Sequence, residues 1–149
     1  MKLLSLVAKR TIRATPDQLF AAWTQPSQLK AWWGPAGVQC TDAQVDLRVG
    51  GTYRMANRFP DGRIVWISGE FEVIEPPHRL VYTWRLDSLE SGSERVTVQF
   101  KPQGEFTEVV VVHERITDDD ARRGHKQGWV ACLEGLEEYM RNVAASGQR

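Results

Sequence analysis

The chain has 149 residues, 42% of them hydrophobic and 26% charged, and its 19 basic and 19 acidic residues give a formal net charge of zero. That balance argues against nucleic acid or an anionic membrane as the main partner, and no apolar run approaches the length of a membrane span. Cys40 and Cys132 lack metal-ligand spacing and no signal-peptide pattern leads the chain, so a single cytoplasmic domain over residues 1–149 with reduced thiols is expected.

In chain order, Leu3 to Arg13 reads as a strand with Leu4, Leu6 and Ala8 on one face. Thr15-Pro16-Asp17 then has the form of a helix start, with Thr15 as N-cap and Pro16 at the first helical position. Leu19, Phe20 and Trp23 give that short helix an apolar face. Pro26 ends it, and a second short helix carries Leu29, Trp32 and Trp33 up to the break at Gly34-Pro35-Ala36-Gly37.

From Val38 to Ile116 the pattern is strand, turn, strand. Gly50-Gly51, Pro60-Asp61-Gly62, Pro76-Pro77-His78, a polar loop over Asp87 to Ser93, and Pro102-Gln103-Gly104 punctuate it. In the strand Arg63 to Ile74, the set Val65, Ile67, Phe71 and Val73 is the expected core face. Trp66, Glu70 and Glu72 point the other way, and Arg48, Arg54 and Arg58 read as exterior. Leu80, Tyr82, Trp84 and Leu86 share a face, as do Val96, Val98 and Phe100. Over Phe106 to Glu114 the run Val109 to Val112 is too continuous to separate faces. If Thr107, Val109 and Val111 face inward, His113 does too.

The only long helical pattern spans Thr117 to Val143, with Thr117 as N-cap and Trp129, Cys132, Leu133, Leu136, Met140 and Val143 on one face. No second long helix exists to cover this stripe, so the sheet must. Gly124, Gly128 and Gly135 lie along one edge of it, each costing about 1 kcal/mol relative to Ala. Close approach of the sheet backbone is the ordinary reason, and room for a ligand the alternative. The expected fold is therefore α+β: a curved seven-stranded antiparallel sheet, two short helices after strand 1, and a long C-terminal helix on the concave face. One helix cannot fill a curled sheet along its length, which leaves a cavity between them.

Trp32-Trp33-Gly34-Pro35, Asp46 to Tyr53, Pro60-Asp61-Gly62, Glu75 to Leu80, and Gly124-His125 with Gly128-Trp129 and Leu133, in this order and spacing, resemble the AHSA1-like family. That family, named for the activator of the Hsp90 ATPase, belongs to the START/Bet v 1-like superfamily. The resemblance runs from about Val7 to about Tyr139. It implies a helix-grip fold, an apolar cavity and a small apolar or amphipathic ligand. It does not choose a function within the superfamily, whose members include lipid carriers, hormone receptors and polyketide cyclases.

The candidate ligand-binding residues are Trp33, Tyr53, Phe71, Tyr82, Trp84 and Val98, together with Val111, His113, His125, Trp129 and Leu133. The tryptophans suit a core and an apolar pocket equally. His125, one turn before Trp129, is either a polar group or general base at the cavity mouth, or a packing residue bonded to a backbone carbonyl. His113 approaches it if its face is inward. No third ligand or carboxylate stands at a known spacing from the two histidines, so neither metal nor cofactor is expected. No nucleophile elbow, phosphate loop or zinc helix occurs. The leading expectation is non-enzymatic binding of a small molecule. The alternatives are a cyclase, dehydratase or hydrolase-like enzyme in the same cavity, and a chaperone-binding module. A homodimer and an Hsp90-type chaperone are the candidate protein partners.

Overall fold

A computed structural model describes residues 3–34, 37–86 and 93–145. The elements are β1 (Leu4–Ile12), α1 (Pro16–Thr24), α2 (Pro26–Trp32), β2 (Gln39–Val45), β3 (Thr52–Arg58), β4 (Ile64–Glu75), β5 (Arg79–Leu86), β6 (Glu94–Gln103), β7 (Phe106–Ile116) and α3 (Asp119–Ala145). The strands form one curved antiparallel sheet in the order β1-β7-β6-β5-β4-β3-β2. β2 to β7 are a meander, and β1 joins it by pairing with the last strand, Val7 opposite Val112 and Ile12 opposite Thr107. This is the expected helix-grip architecture.

α1 starts where its sequence says it should. The Thr15 hydroxyl accepts the Gln18 backbone N–H at 3.1 Å, and the Gln18 side chain takes the Thr15 N–H at 2.9 Å, a reciprocal cap that satisfies two orphan donors. α3 is capped one residue later than expected. Asp118, not Thr117, accepts the Ala121 N–H at 2.7 Å, and a carboxylate also suits the positive end of the helix dipole.

β7 resolves the face that its valine run hides: Thr107, Val109, Val111 and His113 are all fully buried. β4 corrects an expectation. Ile67 and Phe71 are buried, but past a register shift between Phe71 and Val73 it is Ile74 that packs on the core, not Val73. A bulge inserts one residue and so inverts the alternation beyond it. On the convex side Trp66 lies under the Arg54 guanidinium, 4.0 Å from its ring centroid, and Glu70 and Glu72 are exposed.

α3 lays Trp129, Cys132, Leu133, Leu136 and Met140 into the sheet. Its outer margin is tied by Arg10 to Glu137 at 2.6 Å, by Lys126 Nζ to the Val7 carbonyl at 2.9 Å, and by Tyr139 to Gln28 at 3.0 Å. The two short helices close one end of the grip with aromatic packing. Trp23 stacks on Trp129 at 6.0 Å and 14°, and meets Trp32 at 5.0 Å. Such rings bury large areas and lock one another's orientation. Between β4 and β5, a Cβ on Gly69 would stand 1.9 Å from the Thr83 carbonyl oxygen; only glycine lets the two strands approach this closely.

Candidate functional site

Toward the start of α3 the helix and sheet part, leaving an apolar cleft of about 210 Å3. Its sheet wall is Asn57 and Phe59 from the β3 end, Val65 and Ile67 from β4, and Trp84 and Leu86 from β5. The helix wall is Gly124, His125, Gly128, Trp129 and Cys132. Trp33 and Val38, flanking the turn after α2, close the third side. A Cβ on Gly124 or Gly128 would meet nothing within 4 Å, whereas one on Gly135 would lie 3.3 Å from the Trp32 carbonyl. Close approach thus explains Gly135 alone, and the backbone it meets belongs to α2, not to the sheet. Gly124 and Gly128 weaken the helix for no contact of their own, and both border the cleft, Gly124 at its exposed edge.

Beside the cleft stands a polar cluster that the sequence reading reached only in part. His113 and His125 stack with ring centroids 4.6 Å apart at 11°. Glu94 joins them, its Oε1 2.6 Å from His113 Nε2 and 3.2 Å from His125 Nε2. This is the carboxylate absent from the sequence-level inventory, and His125 bonds to it rather than to a backbone carbonyl. The signal was present. Val96, Val98 and Phe100 share the inward face of β6, and one more step of the alternation reaches Glu94, directly opposite Trp84 on β5 and diagonal to His113 on β7.

One bond sets the tautomer of His113. Trp129 Nε1–H donates to His113 Nδ1 at 2.9 Å. An indole nitrogen can only donate, so Nδ1 carries the lone pair and Nε2 the proton, which goes to Glu94. Burial pushes the His113 pKa down, more than Glu94 raises it, so the ring stays neutral. Burial alone would raise the Glu94 pKa, but its hydrogen bonds to His113 and His125 overturn that and bring it to about 2. The three donor atoms lie within 4.8 Å of one another, close enough to suggest a cation site. The indole argues otherwise. A histidine that ligates through Nε2 needs Nδ1–H facing an acceptor, and here Nδ1 faces a donor.

A pH dependence follows. Glu94 has a depressed folded-state pKa, so its contribution is present above the ordinary value of 4.5 and is lost as pH falls toward about 2. Neutral His113 acts in the same direction, because the unfolded chain takes up a proton near 6.5 that the folded one refuses. Urea unfolding should show stability declining steadily from about pH 6.5 downward, and Glu94→Gln should flatten the acid limb, which is on the order of 3 kcal/mol.

The remaining candidates are dispersed. Trp33, Trp84, His125 and Trp129 line the cleft. Tyr53, Phe71 and Tyr82 line a separate void of about 20 Å3 on the other side of Trp33. Their polar ends are already engaged, Tyr53 OH donating to the Thr83 carbonyl at 2.7 Å and Tyr82 OH accepting Trp23 Nε1–H at 3.1 Å. Burial raises both tyrosine pKa values, so neither is an acid or base at neutral pH. Val98, Val111 and Leu133 are packed solid in the core, and His113 lies behind His125. Cys132 touches the cleft, but burial pushes its thiol up to about 12, which leaves it unreactive. Asn57 is a lining residue that the sequence pattern did not single out.

No functionally curated protein matches the sequence. Solved structures do. A protein from Chromobacterium violaceum is 26% identical, with a TM-score of 0.83 over 90% of this chain and 94% of that one. A protein from Rhodobacter sphaeroides is 27% identical, with a TM-score of 0.78 over 93% of each chain. The AHSA1 protein from Silicibacter pomeroyi, at 24% identity, shares the fold with a TM-score of 0.82 over 93% of this chain and 98% of that one. The family model described as activator of Hsp90 ATPase homolog 1-like protein matches residues 13–141. With most of its length matched and the helix-grip fold in place, the chain belongs to the AHSA1-like family.

Proposed function

We propose that this protein is a non-enzymatic binder of a small apolar or amphipathic molecule, held between the start of α3 and the concave sheet. The observation that carries this reading is the pair Gly124 and Gly128. Each costs about 1 kcal/mol in a helix interior, neither answers a close contact, and both border the cleft. Desolvation of apolar surface supplies the affinity, with a few polar groups on the wall to orient the ligand. The family and fold are consistent with such a role.

Catalysis is the weaker reading because the cluster is not poised for proton transfer. Glu94 at about 2 is a feeble base, and His113 is locked in one tautomer. A general acid or base works best with a pKa near the working pH. Only His125, which faces the cleft, remains for that role. A chaperone partner has less support still. The exposed apolar side chains are scattered, with Leu47, Val49, Ile64 and Phe106 at hairpin ends, Val7 on β1 and Val130 on α3. No helix among the described residues is long and apolar enough to cross a membrane, and a cytoplasmic location is part of the proposal.

Isothermal calorimetry with small neutral aromatics such as 4-ethylphenol tests the reading. Saturable one-to-one binding without turnover is expected. Turnover of any bound compound that vanishes in His125→Gln would move the assignment to an enzyme.

A further inference from the structure

The cleft beneath α3 and the small void beyond Trp33 lie end to end on the inner face of the same three strands. Along each strand the inward side chains pass from one space to the other. Met55 is followed by Asn57 on β3, Phe71 by Ile67 on β4, and Tyr82 by Trp84 on β5, the first of each pair at the void and the second at the cleft. Antiparallel pairing runs the three series in one direction across the sheet. Side chains two residues apart on a strand stand roughly 7 Å apart, so one or two such steps separate the two spaces.

Among the described residues Trp33 alone lines both spaces. Its buried indole meets Trp129, which lines the cleft, edge-on at 5.4 Å, and Trp23, which lines the void, edge-on at 6.3 Å. Two such contacts fix the orientation of a ring that can turn only as a whole. The void beyond is walled by rings and aliphatic groups, and the Tyr53 and Tyr82 hydroxyls beside it are already bonded. Hydrocarbon is the chemistry that would extend into it.

Resting on the ligand-binding reading above, we propose that Trp33 is the partition that sets how long a ligand the site accepts. In the wild type a molecule enters the cleft apolar end first and stops at the indole. At roughly 30 Å3 for each water of liquid, a cleft of about 210 Å3 suits one ring with a short alkyl chain, on the order of ten heavy atoms. A smaller side chain at position 33 adds the volume it vacates and the void of about 20 Å3, and the site then takes a longer chain.

Calorimetry on the full chain with 4-ethylphenol, 4-butylphenol and 4-hexylphenol reads the limit. From butyl to hexyl the wild type should gain no affinity, because the indole stops the chain. Trp33→Leu should gain about tenfold over the same step, from two more buried methylenes at about fourfold each. Where the variant fails to fold, the wild-type series decides. The same length dependence in both proteins, or a wild type that keeps gaining through hexyl, overturns this proposal and leaves the ligand-binding reading standing. A wild type that binds none of the three overturns the proposal and removes the reading beneath it.

Discussion

Trp129→Ala should lower stability by about 3–5 kcal/mol, as for other buried aromatic truncations. In a domain of this size that is a fall in Tm of roughly 10–15 °C. Trp129 is 5% exposed, stacks on Trp23, meets Trp33 edge-on at 5.4 Å, and is the sole described partner of His113 Nδ1. Its loss opens a cavity at the junction of α1, α2 and α3 and strips the hydrogen bond that fixes the His113 tautomer. Trp129→Phe separates these two contributions. Most of the packing remains, but the buried Nδ1 lone pair loses its donor, for about 1–3 kcal/mol. Freed of the indole N–H, His113 also protonates more readily, so its pKa should rise relative to the wild type. Histidine NMR titrations of the two proteins, beside thermal melts, check both parts. An unchanged His113 titration in Trp129→Phe would contradict the account of the cluster.

The second large effect has opposite signs in two readouts. Alanine at Gly124 and Gly128 should raise stability by about 0.5–1 kcal/mol each, because the backbone loses less entropy on folding and the new Cβ meets nothing. Gly135→Ala should gain less or lose, with the Trp32 carbonyl only 3.3 Å away. Leucine at Gly124 and Gly128 goes further. The helix keeps its propensity gain while the side chains occupy the cleft, so affinity for any small ligand should drop by roughly a hundredfold or more. Glycines that weaken a helix and strengthen a binding site are the expected form of a trade between stability and function. Thermal melts and calorimetry on the same samples read both signs.

The sequence made the scaffold legible because its signals are local and repeated. The Thr15-Pro16 start, the turn residues between strands and the long stripe of α3 each act within a few residues. The face of β7 stayed open, because Val109 to Val112 is continuous, and the inward position of His113 came from the structure. The site was legible only in part, since its members come from separate strands and meet through register. Glu94 borders a polar loop and reads as solvated until its face is continued back from Val96. Asn57 looks like a polar strand residue, although Tyr53 and Met55 put it on the buried face. Val73 departs from the period-two pattern because a one-residue bulge leaves no mark in composition. The opposite roles of Gly128 and Gly135 depend on which neighbour approaches the helix, and no periodicity encodes that.

Native mass spectrometry of the wild-type chain and the Gly124→Leu/Gly128→Leu variant, purified side by side, tests the central claim most directly. The wild type should carry a small neutral molecule, in full or in part, that is stripped by mild activation. The variant should be bare while remaining folded and at least as resistant to heat. A wild type without any adduct, or the same adduct retained by both proteins, would contradict the assignment of the cleft beneath α3 as the binding site.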